Sequence, residues 1–318
     1  MKNLVLSAVS VAMALLLIPL WTVAAKENGS IKAQSVADNI EKQPAAVKFY
    51  DSFKLLFHET GEIKKIDARE YITGVVAAEM PALYEEEALK AQAVAAYTFS
   101  CYRRDTSDED YDISTDPATC QAYLTNAQLK EKWGENYDTY YNKILSCVKA
   151  VEGKMVSYKG KTALTVYHAI SPGKTNSCAD VWEKEIPYLK SVESLGDKLN
   201  RDYISTLTLS ASELSAKLGV TADNLSGIKK CDTGLIKSVT IGGKTFSGSQ
   251  IQKALSLRSA AFEASKSGES FTFTVYGYGH GVGMSQSGAD YMAKQGSSYK
   301  EILAHYYSGT KIQNRADT

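Results

Sequence analysis

GVVAAEMPALYEEEALKAQAVAAYTFS, residues 74–100, sets the frame for this chain. It opens as an apolar run, places one carboxylate at Glu79, and meets Pro81 almost at once. Proline disfavours helical geometry in the residue before it, so a helix entering from Asp67 ends at Glu79 or Met80. The start of that helix carries a capping-box pattern, Asp67 with Glu70 three residues on. A second helix is expected from about Leu83. Glu85, Glu86 and Glu87 fall in its first turns, where they oppose the positive end of the helix dipole. It then turns alanine-rich, at Ala88, Ala91, Ala93, Ala95 and Ala96. Small side chains let another element approach closely, which makes this helix central.

Working outward, residues 47–66 alternate aromatic and aliphatic positions around a glycine and read as strands. Residues 105–123 form an acidic, irregular loop, and a long helix is expected from Thr125, with Gln128 as its cap partner, to about Glu152. Hairpins are expected about Lys159-Gly160 and Gly242-Gly243, and a short helix capped by Ser210 and Glu213 lies between them. Residues 270–296 read as a strand, a glycine-rich turn and a helix. Helices mixed with antiparallel hairpins make this an α+β chain rather than a doubly wound sheet.

The totals are those of a globular protein: 318 residues, 44% hydrophobic and 23% charged. Lys plus Arg and Asp plus Glu are 36 each. That balance does not indicate a strongly basic chain overall, although it leaves room for a local patch, and nucleic acid is not expected as a partner. Tyrosine is abundant, at 20 residues, and suits sugar surfaces as well as core. Lys2 precedes a nearly uncharged run, Leu4–Ala25, long enough to cross ~30 Å of hydrocarbon as a helix. Residues 1–25 are therefore a membrane anchor or, since TVAA precedes Lys26, a cleaved signal. Either reading exports residues 26–318, with 26–46 a polar tether and 47–318 the folded domain. The cysteines are Cys101, Cys120, Cys147, Cys178 and Cys231, an odd count without a C-x-x-C motif.

Three places hold residues suited to chemistry. Glu79 ends an apolar helix, where burial and the negative end of the dipole both favour the neutral carboxyl that a general acid needs. A glutamate pointing into water is the plainer alternative. HAISPGKT, residues 168–175, delivers a histidine, hydroxyls and a lysine into one loop. GYGHGVGMSQSG, residues 277–288, spaces glycines for a close backbone approach, and Ser285 and Gln286 open the next helix. It lacks the lysine of a phosphate loop and the βαβ setting of a dinucleotide fingerprint. The four histidines, His58, His168, His280 and His305, form no H-x-x-x-H pair.

Three blocks in this order resemble one family. YITGVVAAEMPALYEEEALKAQAVAAYTF (71–99), VYHAISPGKTNSCADVWEKEIPYLKSVES (166–194) and GYGHGVGMSQSGADYMAKQGSSYKEILAHYYSGTKI (277–312) are similar to the conserved blocks of stage II sporulation protein D, which is related to the amidase enhancers. The resemblance implies two lobes flanking a glycan groove, behind one N-terminal membrane helix. It implies a lytic transglycosylase that cuts the bond from N-acetylmuramic acid to N-acetylglucosamine during forespore engulfment. Glu79, in the A-A-E-M-P motif, is the implied acid. The implied partners are peptidoglycan strands and the amidase and membrane protein of an engulfment complex. The implied location is the mother-cell membrane with the domain outside the cytoplasm. Because the amidase strips stem peptides first, denuded glycan is the implied substrate. Candidates for gripping it are Tyr97, His168, Ser171, Lys174, Thr175, Tyr188, His280, Ser285 and Gln286. A non-catalytic glycan-binding or amidase-activating module is the alternative.

Three departures from the family stand out. Tyr97 replaces an arginine, which implies a missing cation at the substrate or at Glu79. Ser171-Pro172-Gly173 replaces S-G-G and stiffens that loop. Some relatives bind zinc through a Cys-T-D-x-x-His-Cys segment. Here STDPATCQAY, residues 114–123, has Ser114 and Thr119 at two ligand positions, so no metal cofactor is expected. A Cys101–Cys120 disulfide in place of the metal is a further expectation.

Overall fold

The computed structural model describes residues 44, 46–117 and 119–317. The run Leu4–Ala25 and nearly all of residues 26–46 lie outside these residues. Among the described residues no helix is long and apolar enough to cross a membrane.

The first strands, β1 (Ser52–Phe57) and β2 (Glu62–Asp67), lie where strands are expected and pair as an antiparallel hairpin. In α1 (Ala68–Glu79) the Asp67 side chain accepts from the N–H groups of Arg69 and Glu70. The helix stops where Pro81 requires it to, since Met80 is extended at φ −122° and ψ 146°. Its successor, α2 (Glu86–Thr106), begins at Glu86 rather than Leu83, because Tyr84 closes a turn on the Pro81 carbonyl and Glu85 N–H donates to Asp290 Oδ1 at 2.8 Å. A short β3 (Ile113–Ser114) pairs with β1 in parallel. The long helix expected over 125–152 is two helices, α3 (Asn126–Trp133) and α4 (Tyr137–Ala150). Gly134, at φ +51°, adopts a conformation that breaks the first from the second.

Further along come β4 (Lys154–Tyr158), β5 (Lys161–Thr162), β6 (Tyr167–His168), α5 (Cys178–Trp182), β7 (Ile204–Ser210), α6 (Ala211–Leu218), β8 (Leu225–Lys230), β9 (Ile236–Ile241), β10 (Lys244–Phe246) and α7 (Gly248–Leu255). The chain ends with β11 (Phe262–Ser267), β12 (Ser270–Tyr276), β13 (Met284–Ser285), α8 (Gln286–Lys294), α9 (Tyr299–Tyr306) and β14 (Lys311–Asn314). The sheets are small, with strand orders β2-β1-β3, β14-β4-β5, β13-β6, β11-β12-β7 and β10-β9-β8. The fold is mixed α+β, as the alternation of hairpins and helices predicts.

Among the described residues two apolar cores form. In the larger, α2 packs against α1, α4, α8 and α9, and its alanines 88, 91, 93, 95 and 96 are all buried. With no side chain beyond Cβ they admit neighbouring helices on several sides, which is why this helix is central. Each larger apolar side chain buried there, such as Leu89 or Phe99, contributes roughly 1.5–3 kcal/mol. The smaller core uses only residues 207–275, from β7, α6, β9, α7, β11 and β12. The larger core resumes at Val282. The second lobe is therefore an insertion between two stretches of the first.

The glycine-rich run joins the lobes. A Cβ on Gly277 (φ +76°) would lie 2.6 Å from the Ile170 carbonyl oxygen, and one on Gly283 (φ +73°) 2.1 Å from that of Val166. These glycines approach this chain's own residues 166–171. Strand β13 pairs with β6 in parallel there, and Ile170 and Tyr278 exchange backbone hydrogen bonds at 3.1 and 2.7 Å.

The Cys101–Cys120 disulfide is not formed. All five cysteines are free thiols, and burial pushes the Cys101 thiol upward.

Candidate active site

Glu79 is half-buried at the end of α1. Its Oε1 accepts from Ala122 N–H at 2.8 Å and its Oε2 from Gln286 Nε2 at 3.3 Å. Two N–H donors thus hold the carboxyl in place, instead of the bare apolar approach expected from residues 74–78. A pocket of about 240 Å³ opens beside it, lined by Pro81, Tyr84, Ile170, Tyr278 and Gln286 from around Glu79 and by Asn200, Asp202 and Arg258 from the lobe junction. Burial pushes the Tyr84 and Tyr278 phenols above their ordinary range.

Each donor has a structural cause. Ala122 follows Gln121, whose buried amide donates to Tyr71 Oη and Ser100 Oγ and accepts from Tyr167 Oη. A glutamine fixed at three points fixes the backbone after it. Gln286 opens α8, whose N-cap is Ser285, with Ser285 Oγ accepting from Gly288 N–H at 3.1 Å. Ser285 Oγ also donates to Asp197 Oδ1 at 2.8 Å, and Asp197 Oδ2 accepts from Ser171 N–H at 2.9 Å and from Ser171 Oγ. Asp197 is fully buried, and desolvation raises its pKa while the serine hydrogen bonds oppose the rise. This carboxylate ties the 171 loop to the start of α8, and so to Gln286.

A cation also stands near Glu79. Lys132 on α3 is exposed along its stem, but its ammonium donates to the Ala77 carbonyl at 3.1 Å, one of the end carbonyls of α1. Lost hydration lowers its pKa, and the Glu79 carboxylate opposes that fall.

The nine candidate grip residues separate. Gln286 reaches Glu79 directly. Ser171 and Ser285 act through Asp197. Burial pushes His168 down to about 4, and its Nδ1 lies 3.1 Å from the Val282 carbonyl oxygen. His280 lines a second cavity of about 490 Å³ between the lobes, with Asn176 and Trp182. Thr175 Oγ1 is buried between Val192 N–H and the Lys190 carbonyl, and Lys174 pairs at the surface with Glu193 at 2.8 Å. Tyr97 and Tyr188 do not line the Glu79 pocket. Tyr97 Oη accepts from Tyr50 N–H and donates to the Tyr50 carbonyl, beside a different pocket that includes Arg69, Glu152 and Arg315. Tyr188 Oη accepts from Leu164 N–H at 2.7 Å in the core. Among the zinc-segment positions, Ser114 Oγ accepts from Asp116 N–H and Thr119 Oγ1 donates to the Asp116 carbonyl, both within one turn.

Ala122, Asp197, Asp202, Tyr84, Tyr278 and Arg258 were not legible as site residues. A backbone N–H carries no side-chain signal. Tyr278 stands inside the glycine-rich motif but was passed over for the glycines and polar residues around it, and the others fall outside that motif and HAISPGKT.

Comparison with known proteins places this arrangement. Residues 57–158 match the family model of the stage II sporulation protein. Stage II sporulation protein D of Bacillus subtilis (strain 168) is 35% identical over 290 residues, 88% of this chain and 82% of the relative. That of Bacillus amyloliquefaciens is 34% identical over 295 residues, 90% and 86%. The amidase enhancer of Bacillus subtilis (strain 168) is 27% identical over 299 residues, 76% of this chain and 40% of the relative. With Glu79 and its Ala122 contact inside the matched segment and similarity running through most of the chain, this protein belongs to the stage II sporulation protein D family of sporulation proteins.

Proposed function

We propose that the protein is a peptidoglycan lytic transglycosylase acting on denuded glycan during engulfment, with Glu79 as its single acid–base residue. The observation that supports it is the carboxyl of Glu79, held on both oxygens at the edge of a pocket walled by Tyr84 and Tyr278. Ordinary glycosidases use two carboxyls, one as acid and one as base or nucleophile. In this reading Glu79 protonates the glycosidic oxygen as the C1–O bond breaks. The C6 hydroxyl of the same muramic acid ring then bonds to C1, and Glu79 takes its proton back. The product ends in a 1,6-anhydro ring, and no water is consumed. Gln286 and Ala122 aim the carboxyl, and Lys132 supplies positive charge nearby. The N-terminal run anchors the chain at the mother-cell membrane, with the amidase and membrane protein of the engulfment complex as partners.

Two observations favour other readings. One relative is named an amidase enhancer, which fits a glycan-binding module that activates an amidase. Asp202 lines the pocket with Glu79, which fits a hydrolase with two carboxyls. The full chain, solubilised in detergent and incubated with denuded strands, separates them by mass spectrometry of the products. Anhydro ends that vanish in Glu79→Gln are expected. Reducing ends identify a hydrolase, and binding without cleavage identifies the module.

A further inference from the structure

The pocket beside Glu79 receives one arginine from the inserted lobe. Arg258 lies between α7 and β11, and its backbone is tied to the site. Its carbonyl accepts from Gly279 N–H at 2.9 Å, next to the Tyr278 that pairs with Ile170. Gln252 Nε2 donates to the same carbonyl at 3.4 Å. The guanidinium sits 5.6 Å from the Tyr278 ring centroid. Its Nη1 donates to the Asp202 carbonyl at 3.3 Å and stands 3.6 Å from Asp202 Oδ1. Asp202 also pairs with Arg201 at 3.5 Å. Arg201 stands outside the pocket lining, so Asp202 is shared between Arg258 and a surface arginine. The Arg258 side chain is 39% exposed, and the contacts just given engage Nη1 and not Nε or Nη2. A guanidinium edge of this kind matches a carboxylate with two parallel N–H donors.

A glycan strand offers such a carboxylate only in one chemical state. While the stem peptide is attached, the lactyl carbonyl of muramic acid is a neutral amide. Hydrolysis of that amide adds water across the C–N bond, releases the peptide amine and leaves a free lactyl carboxylate. We propose that Arg258 binds this free carboxylate and is the residue that makes the enzyme selective for denuded strands. The assignment rests on the reading of the Glu79 pocket as a glycan-cleaving site. It also gives the inserted lobe a task, because Arg258 is its only charged side chain lining that pocket among the described residues. The reaction upstream must then be an amidase step, since only that step makes the anion.

Binding tests this without cleavage. The full chain carrying Glu79→Gln, in detergent, is titrated with three soluble glycan oligomers: denuded, denuded with the lactyl carboxyl converted to the methylamide, and peptide-bearing. The free acid is expected to bind about tenfold or more tighter than the methylamide, the size of a charge-assisted pair. Adding Arg258→Gln should erase that preference, and Arg258→Lys should restore part of it, because a lysine keeps the charge without the fork. A preference that survives Arg258→Gln overturns the proposal, as does the absence of any preference before that change. Equally tight, Arg258-dependent binding of peptide-bearing strands also overturns it, by assigning the arginine to a peptide carboxylate. Failure of the unmutated chain to make anhydro ends counts against the catalytic reading alone, since the titration is scored without turnover.

Discussion

At the scale of single residues, the site depends on how one carboxyl is aimed. Glu79 is visible in the sequence as a lone acid before a proline, but the N–H donors of Ala122 and Gln286 come to it from 43 and 207 residues away. Gln286 Nε2 at 3.3 Å is a side-chain partner that mutation can remove. A hydrogen bond to a charged group contributes about 1.5–3 kcal/mol. Gln286→Ala should therefore lower kcat by roughly ten- to a hundredfold, because each ~1.4 kcal/mol is a factor of ten in rate. The loss should fall on kcat more than on KM if the contact positions the acid and does not bind sugar. Turnover within about twofold of the unmutated chain would sink that role. The same scale explains the Tyr97 departure. Its hydroxyl is spent on the Tyr50 backbone, beside a pocket separate from that of Glu79.

Among elements, the decisive joint is where the 171 loop, the 3-10 turn Leu195–Leu199 and the start of α8 meet on Asp197. The helices and hairpins themselves were legible, because Asp67, Thr125, Ser210 and Pro81 mark their ends locally. The joint was not, since nothing near Asp197 in sequence distinguishes it from a surface aspartate. Asp197→Ala leaves the Ser171 N–H and the hydroxyls of Ser171 and Ser285 without their buried acceptor. Unsatisfied buried groups cost about 1–3 kcal/mol each when nothing replaces the partner. The expected result is a loss of roughly 3 kcal/mol in denaturant unfolding, with Asp197→Asn losing less because it still accepts. Equal stability of Asp197→Ala and the unmutated chain would show that this joint holds nothing together. The break at Gly134 was missed for a related reason, as a single glycine in a helical pattern is tolerated unless the backbone there turns left-handed.

For the whole molecule, a pH response follows from the buried histidine beside the lobe junction. His168 is 4% exposed, its ring centroid lies 5.7 Å from that of His280, and burial pushes it from 6.5 down to about 4. The unfolded chain takes up this proton near pH 6.5 and the folded chain only near pH 4. The stability held above pH 6.5 is thus lost as pH falls through that window, by on the order of 3 kcal/mol. His168→Gln should flatten the fall in unfolding free energy between those limits by that amount. Parallel pH profiles for the two chains would reject the assignment. What the sequence alone determined is local and periodic: where helices start and stop, the alanine-rich helix as the centre, and the three blocks that carry the family. Only the tertiary structure decided that residues 207–275 form a second core inserted into the first, that the glycine run packs on residues 166–171, and that Ala122, Gln286, Lys132 and Arg258 gather around Glu79. Capping and periodicity act within a few residues along the chain. A backbone N–H and a side-chain amide meet one carboxyl only after long-range packing has closed the loops between them.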